Sequence, residues 1–549
     1  MLYCTKSLDT INLEGGELSM QQKNKKQSKN SIGNMKIAGN IVYLGVFLLL
    51  TVFPLFFHNY YYDILNSKYM FYYCTVLVTA AGVLAVWGIP VLCGNTVSYL
   101  KSKCKAGLSK INLPDICILV LVLSVTVSTL QSDFKYESFW GNEARYNGLF
   151  LWLIYGLAYL VITRLLKFKS NLLDYFLIAG LLVCLFGITD HFQLDILHFK
   201  ERMRRTQVND FSSTIGNINL YTAYVGMAVA IAMTLYATAK SKSKIIFYYI
   251  TVIITCLAMI LGRSDNGYLA IGILFVAFPF YLFRTRDGIK RYVVCLATLL
   301  SCVLICGFVN KLWPDQVLYL DSVFGMMSRS DKFIYVVIAA WMVVAILYII
   351  DRNKKGTTLG RWPVVLWSVF IGICVLTGVY MLCDANIAGN GAKYGRLAEY
   401  LVFSDSWGTH RGFIWKLSIK HFMDFSVIRK LFGFGPDTFG ILTHYQDFDT
   451  MVEYNNTIFE SAHNEYIHYL ITIGAVGLMA YMMLLITSCY RMIKKCGKNP
   501  YIMAIVFAIL AYAAQATVNI AQPIVTPIMF TLLMVGLSAC RDEEGDTGV

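Results

Sequence analysis

Long apolar runs alternate with short polar segments along almost the whole chain. Because a helix needs roughly 20 apolar residues to cross a bilayer, each run predicts a transmembrane helix. The last two runs form one uncharged stretch that Gln522-Pro523 and Pro527 divide, since proline breaks helical hydrogen bonding. The pattern therefore predicts an all-α polytopic membrane protein with about fourteen transmembrane helices. The predicted spans are 37–57, 69–93, 113–130, 147–163, 172–189, 217–237, 245–262, 266–283, 292–310, 333–350, 362–382, 464–488, 500–520 and 524–540.

The polar segments between these runs differ in charge in a regular order. If the lysine-rich N-terminus is cytoplasmic, every second segment falls on the same side, and all of those segments are basic. Cytoplasmic loops are enriched in Lys and Arg, so the order predicts that both termini lie inside the cell. The basic segments are KSKCKAGLSK (101–110), RLLKFK (164–169), KSKSK (240–244), RTRDGIKR (284–291), DRNKKGTTLGR (351–361) and RMIKKCGK (491–498).

One polar segment, between the eleventh and twelfth predicted helices, is far too long for a connector. It predicts a large extracytoplasmic loop, which contains an amphipathic helix with Ile414, Leu417, Phe422 and Phe425 on one face. The predicted organisation is a cytoplasmic tail (1–36), an N-terminal bundle (37–382), the loop (383–462), C-terminal helices (463–540) and a second cytoplasmic tail (541–549).

The composition agrees with this membrane interpretation and argues against other classes. Hydrophobic residues make up 57% of the chain and charged residues 15%, whereas soluble domains carry about 25% charged residues. The net charge of +14 does not predict nucleic-acid binding, because the basic residues lie between apolar runs. The 15 cysteines lie mostly inside those runs without a CxxC pair, so neither a metal nor a disulfide framework is expected.

The N-terminus is polar and does not resemble a signal peptide. Glu14-Gly15-Gly16-Glu17 can be encoded by a purine-rich stretch like a bacterial ribosome-binding site. We therefore expect translation to begin at Met20 rather than Met1.

The candidate chemistry lies at the end of the large loop. His463 and Asn464 stand where the chain re-enters the membrane, and a neutral histidine there can accept a proton. On spacing alone, a cap or a satisfied polar residue is the commoner role of such a histidine. His468 falls on a different helix face, so a zinc pair is not predicted. Gly474 and Gly477 follow, and small residues allow close helix packing.

Three arginines, Arg145, Arg263 and Arg411, are predicted on the outer face. The planar guanidinium matches phosphate oxygens, so arginines around His463 would suit a lipid-linked diphosphate. Each arginine alone is more simply a solvated or snorkelling charge. The outer segment 190–216 is also basic, and anion binding is one explanation of that charge.

Other motifs in the loop are less specific. Residues 433–437 (GFGPD) are typical of a turn, with a phosphate-cradling loop as the alternative. Asp447 and Asp449 have the D-x-D spacing of nucleotide-sugar transferases, but nucleotide sugars are cytoplasmic and this segment is predicted outside. Trp407 and Trp415 could stack on sugar rings, although packing against lipid is the commoner role.

Together these motifs resemble the O-antigen ligase and O-antigen polymerase superfamily of bacterial membrane proteins. The large outer loop before the final helices also matches, but the chain has more predicted spans than that family usually shows. It also has Asp265 where the family has an arginine after serine. The matching motifs are H-N-x9-G-x-x-G (His463, Asn464, Gly474, Gly477), R-x3-W (Arg411, Trp415), G-x-G-P (Gly433, Gly435, Pro436), GNEARYNGL (141–149) and GNINLYTAY (216–224).

The resemblance implies glycosyl transfer from a polyprenyl-diphosphate-linked glycan on the outer face of the bacterial cytoplasmic (inner) membrane. The acceptor would be a hydroxyl of a glycan, a lipid-anchored sugar or a protein. His463 would be the general base or would orient the acceptor, and Arg411 and Arg145 would hold the diphosphate, with Arg263 as a further contact. Asn464 would orient His463 or a sugar. The resemblance implies no cofactor, metal or nucleic-acid partner.

Alternatives stay open at the level of sequence. A ligase and a polymerase share the donor and differ only in the acceptor. A transporter or flippase of lipid-linked glycans would be expected to show internal repeats and charges inside its spans, and neither is evident. A structural scaffold would tolerate replacement of His463 and Arg411.

Overall fold

The computed structural model describes residues 33–92, 111–143, 145–201, 203–205, 207–320, 322–350, 358–455 and 458–546. The expected start at Met20, the basic segment 101–110 and most of the basic segment 351–361 lie outside these described residues.

Helices dominate the described residues, which confirms the all-α fold class. Two strands of two residues each, β1 (Phe211–Ser212) and β2 (Gly216–Asn217), pair antiparallel with Phe211 opposite Asn217. The helices before the large loop are α1 (Gly33–Leu55), α2 (Ile64–Leu92), α3 (Leu113–Gln131), α4 (Lys135–Trp140), α5 (Leu149–Leu165), α6 (Asn171–His191), α7 (Ile218–Thr238), α8 (Lys242–Leu261), α9 (Asn266–Leu282), α10 (Arg286–Leu312), α11 (Val323–Ser328), α12 (Phe333–Ile350) and α13 (Trp362–Asn386). The later helices are α14 (Ala398–Leu401), α15 (Trp407–Asp424), α16 (Val427–Phe432), α17 (Phe439–Asn455), α18 (Glu465–Thr472), α19 (Gly474–Cys496), α20 (Pro500–Gln515) and α21 (Thr526–Asp546).

Among the described residues, 11 helices are long and apolar enough to cross a membrane. They are α1, α2, α3, α6, α7, α8, α10, α12, α13, α19 and α20. Helices α5 and α9 are shorter apolar helices at two further predicted positions. Large apolar side chains cover the exposed surfaces of α12 and α13, as expected for helices in lipid. The chain is therefore a multi-pass membrane protein, while the count of about fourteen spans and the inward orientation of both termini stay predictions.

Helix α7 lies at the centre of the bundle and packs against α8, α9 and α20. Almost every residue of α7 from Leu220 to Tyr236 is buried. Small residues make this close packing possible, since a Cβ at Gly226 would lie 3.1 Å from the Cβ of Ala270.

The large loop forms a second, smaller core on top of the last helices. The predicted amphipathic helix is confirmed as part of α15, with Ile414 and Leu417 buried and Phe422 and Phe425 packed at the edge of the same core. Ile471 of α18 belongs to this core, so the loop packs directly on α18.

The prediction of one continuous helix over 464–488 is wrong. The chain forms α18, breaks at Ile473 and continues as α19. Ile473 leaves helical geometry (φ −120°, ψ 5°), and Gly474 then adopts the left-handed region at φ +73°. Hydropathy could not reveal this break, because the apolar run continues across it.

The break is stabilised by backbone from the large loop. Phe434 N donates to Ile471 O at 2.8 Å, and Gly435 N donates to Thr472 O at 3.0 Å. These donors satisfy carbonyl oxygens that a helix end otherwise leaves without a partner. The approach requires glycine on both sides, since a Cβ at Gly433 would lie 2.3 Å from Thr472 O. A Cβ at Gly474 would likewise lie 2.3 Å from Leu431 O.

We therefore expect Gly474→Ala to destabilise the protein by about 1–3 kcal/mol, because alanine is strained at φ +73° and its Cβ collides with the Leu431 carbonyl. Thermal unfolding in detergent, followed by size-exclusion chromatography, measures this effect. Gly272→Ala on α9 is the control, because no atom of the described residues lies within 4 Å of a Cβ there. Equal melting temperatures for both variants would contradict the stabilising role of this contact between the loop and the helix break.

Candidate active site

His463 is held between two fixed points at the end of the large loop. On one side, Trp415 Nε1 donates to Ala462 O at 2.9 Å. On the other side, the Asn464 side chain accepts hydrogen bonds from Tyr466 N and Ile467 N, both at 3.0 Å, and caps α18. His463 itself has φ +47°, a left-handed conformation that is uncommon outside glycine and that occurs at functional sites.

Arg145 and Arg411 are close enough to His463 for their charges to act on it. Burial lowers the pKa of His463 to about 4, and the positive charges of Arg145 and Arg411 act in the same direction. The structure thus brings together three predicted site residues from segments far apart in the sequence. His463 is consequently neutral at pH 7 and able to accept a proton.

Arg145 stands on a short loop between α4 and α5 and is buried. Arg145 forms a long ion pair with the half-exposed Glu460, whose Oε2 lies 3.9 Å from Arg145 Nη2. Among the described residues, no hydrogen-bond acceptor meets Arg145 Nε. Burial lowers the pKa of the Arg145 guanidinium, and the charges of Asp437 and Glu460 oppose that change.

Arg411 begins the regular part of α15. The three residues before it, 408–410, all have positive φ, so α15 is kinked directly before Arg411. Its Nη1 donates to Gly408 O at 3.0 Å, whereas Nε meets no acceptor among the described residues. Burial lowers the pKa of Arg411, and the charge of Asp265 partly compensates. Asp265, at the position where the resemblance implied an arginine, therefore faces Arg411.

Arg263 is directed toward a different segment. Its Nη2 donates to Asn209 O at 2.6 Å, in the outer segment 190–216. In the same segment Lys200 pairs with the buried Asp190 at 3.1 Å, so this basic residue has a structural partner. A diphosphate contact by Arg263 stays a prediction.

The predicted glycines allow close packing of the backbone segments that support the site. Besides the crossing formed by Gly433 and Gly474, a Cβ at Gly435 would lie 2.4 Å from Ser132 Oγ on the end of α3. Gly477 follows the break, where a Cβ would lie 2.8 Å from Ile473 Cγ1. Trp415 packs on Trp407 with ring centroids 5.2 Å apart, above the segment that holds His463.

Two polar residues of this region were not predicted as site residues. Asp437 is fully buried and accepts hydrogen bonds from Asn142 N at 2.8 Å and Asn147 N at 2.9 Å, on both sides of Arg145. His468 is buried, and burial together with the charges of Arg145 and His463 lowers its pKa to about 3. A buried carboxyl directly after G-x-G-P looks like a turn residue in the sequence, so no signal distinguished Asp437.

The D-x-D spacing has a structural explanation here. Asp447 is buried and pairs with His421 at 2.5 Å, which joins α17 to α15, whereas Asp449 is exposed. Within the part of the chain that the structure describes, no group of three His, Cys, Asp or Glu residues could hold a metal ion.

The chemistry available here is that of an anion site next to a neutral base. The buried Arg145 and the half-buried Arg411 each present an Nε–H that meets no acceptor within the described part of the chain, and arginine binds phosphate oxygens through such groups.

Comparison with known proteins agrees with these motifs. The family model described as O-antigen ligase matches residues 316–482, which include Arg411 and His463 but not Arg145. No curated protein sequence matches the chain. The match confirms the resemblance to the O-antigen ligase superfamily of membrane glycan ligases and polymerases within residues 316–482.

Proposed function

We propose that the protein is a glycosyltransferase that transfers or polymerises a polyprenyl-diphosphate-linked glycan on the outer face of the bacterial cytoplasmic membrane. The observation that carries this proposal is the neutral His463 beside Arg145 and Arg411, both of which keep an Nε–H free of any acceptor among the described residues. The family match supports the same class of reaction.

The two arginines would bind the diphosphate of the donor. As the glycosidic C–O bond breaks, the bonding electrons leave with the diphosphate, and its negative charge increases. Guanidinium groups fixed in a buried site stabilise such developing charge without having to reorganise. In this proposal they supply the charge stabilisation that other transferases obtain from a divalent cation.

His463 would act on the acceptor. The acceptor hydroxyl oxygen attacks the anomeric carbon, and its proton passes to the imidazole of His463. Because Arg145 and Arg411 lower the pKa of His463, a bound diphosphate would offset their charge and make His463 a stronger base. Donor binding would therefore prepare the base for the acceptor.

The same geometry argues against a pure transporter, because moving an intact donor requires no base next to its diphosphate. Ligase and polymerase activities both fit the site, because they use the same donor and differ only in the hydroxyl that attacks.

The activity prediction concerns His463→Ala in purified, reconstituted protein supplied with a polyprenyl-diphosphate oligosaccharide. Loss of a general base lowers rates by about 100-fold or more, so transfer should almost disappear. Mass analysis of the products measures this loss. His444→Ala, at an exposed histidine of the same loop, is the matched control and should retain activity.

The wild-type products also separate the remaining alternatives. Longer glycan on the same lipid indicates a polymerase, and glycan moved to an added acceptor indicates a ligase. An active His463→Ala variant would exclude His463 from the mechanism. Transfer of intact donor across vesicles, without any new glycosidic bond, would favour the transporter.

The second prediction concerns the charge state of His463. With histidine-labelled protein, nuclear magnetic resonance should show a His463 pKa of about 4, and added pyrophosphate should raise it, because the anion offsets the charges of Arg145 and Arg411. His463 is thus uncharged above that pKa, in contrast to an ordinary histidine, which titrates near 6.5. A pKa that does not respond to pyrophosphate would argue against anion binding at these arginines.

The third prediction concerns orientation, with single cysteines introduced into a variant in which all 15 native cysteines are replaced by serine. A membrane-impermeant maleimide should label Asp449→Cys in intact cells and Lys498→Cys only after permeabilisation, since both positions are exposed. The reverse labelling would place the site on the cytoplasmic face and contradict the proposal.

A further inference from the structure

Asp437 is a buried carboxylate that connects the large loop to the loop carrying Arg145. Its Oδ2 accepts hydrogen bonds from Asn142 N at 2.8 Å and from Asn147 N at 2.9 Å. These two donors stand three residues before and two residues after Arg145. A single carboxylate oxygen therefore holds both sides of the segment from which the arginine projects.

The Arg145 loop is closed on itself, so both of its ends can meet one acceptor. A Cβ at Gly148 would lie 2.3 Å from Gly141 N, and Gly141 has φ +89°. Asn147 Nδ2 also donates to Ala521 O at 2.7 Å, which fixes the far side of the loop to the segment before α21. Asp437 and the Ala521 carbonyl therefore both hold the Arg145 loop.

Asp437 is also part of the charge balance of the site. The charges that face it are those of Arg145, from its own loop, and of Glu460, from the segment before His463. Burial raises the pKa of Asp437 to about 6, while the two N–H donors and Arg145 favour the charged form. Its second oxygen, Oδ1, meets no donor among the described residues.

We propose that Asp437 is the positioning residue of the diphosphate site: through its bonds to the Arg145 loop it sets where that guanidinium stands relative to His463. This inference rests on the proposed function, because it assigns Asp437 a role in donor binding by Arg145. Asp437 itself contacts the loop and not the reacting atoms.

The position of Asp437 also connects two requirements of the site. It follows Gly433 and Gly435, which cross the helix break between α18 and α19, by only a few residues. The backbone contact between residues 433–435 and the helix break thus holds Asp437 in place. Asp437 in turn holds the Arg145 loop, and α18 holds His463. In this proposal, residues 433–437 of the large loop hold His463 and Arg145, which come from distant segments, in fixed positions relative to each other.

Two substitutions separate position from charge. In Asp437→Asn the amide oxygen still accepts both N–H bonds, so the loop stays in place, and transfer should stay within about threefold of the wild type. Asp437→Ala removes the acceptor that Asn142 N and Asn147 N share, so this connection to the loop is lost. Because small misplacements of a positioning group cost about 100-fold in rate, transfer should fall by about that factor. Asp449→Ala, at an exposed carboxylate of α17, is the matched control and should retain activity.

A double-mutant cycle tests whether Asp437 acts through Arg145. In an Arg145→Ala background, Asp437→Ala should cause no further loss, because the group it positions is already absent. The pKa of His463 reports the same displacement without any assay of transfer. It should rise in Asp437→Ala, because the charge of Arg145 no longer stands beside the imidazole.

Several results would overturn the inference. Asp437→Ala that is monodisperse and fully active would do so, as would Asp437→Asn that loses as much activity as Asp437→Ala. A further loss in the Arg145→Ala background would show that Asp437 acts elsewhere. If Asp437→Ala is active while His463→Ala and Arg145→Ala are inactive, only this inference fails. If all three variants are active, the proposed function fails with it.

Discussion

A helix that ends inside a protein leaves carbonyl oxygens without donors, and the end of α18 is where this chain must solve that problem. Backbone N–H groups of the large loop reach Ile471 and Thr472, and Ser128 of α3 adds a hydroxyl donor to Thr472 O at 2.8 Å. This requirement joins the loop, α3 and the final helices at one point. Because the junction holds the C-terminal end of α18, it also helps to fix His463, which lies at the opposite end of this helix.

The electrostatics of the site follow from the burial that this junction produces. Arg145 is buried and Arg411 half-buried, and charge interactions are stronger where water is excluded. Burial lowers the pKa of the neighbouring His463 imidazole, and the positive charges of both arginines act in the same direction. Under the proposed function, the donor would change the base that later serves the acceptor, which gives the two substrates a natural order of binding.

The sequence predicted a large part of this arrangement, and its failures have physical causes. Apolar run length located all 11 of the described helices that are long and apolar enough to cross a membrane, because length and composition are the features that a lipid environment requires of them. The resemblance brought His463, Arg411 and Arg145 together, which spacing alone could not do. The break at Ile473 escaped prediction because its cause is a pair of N–H donors about forty residues earlier in the chain. Asp437 escaped because a buried acceptor for backbone N–H groups looks like any polar turn residue.

The contact between Asp437 and the Arg145 loop has a consequence for exchanging parts between related chains. The family match begins well after the loop at 141–148, so a swap of the matched region alone would carry only one half of this contact into a new host. A hybrid would then combine the carboxylate of one chain with the corresponding loop of another. Grafts that include both the matched region and the loop at 141–148 preserve this pairing. The two segments should therefore be exchanged together when such proteins are assembled from fragments.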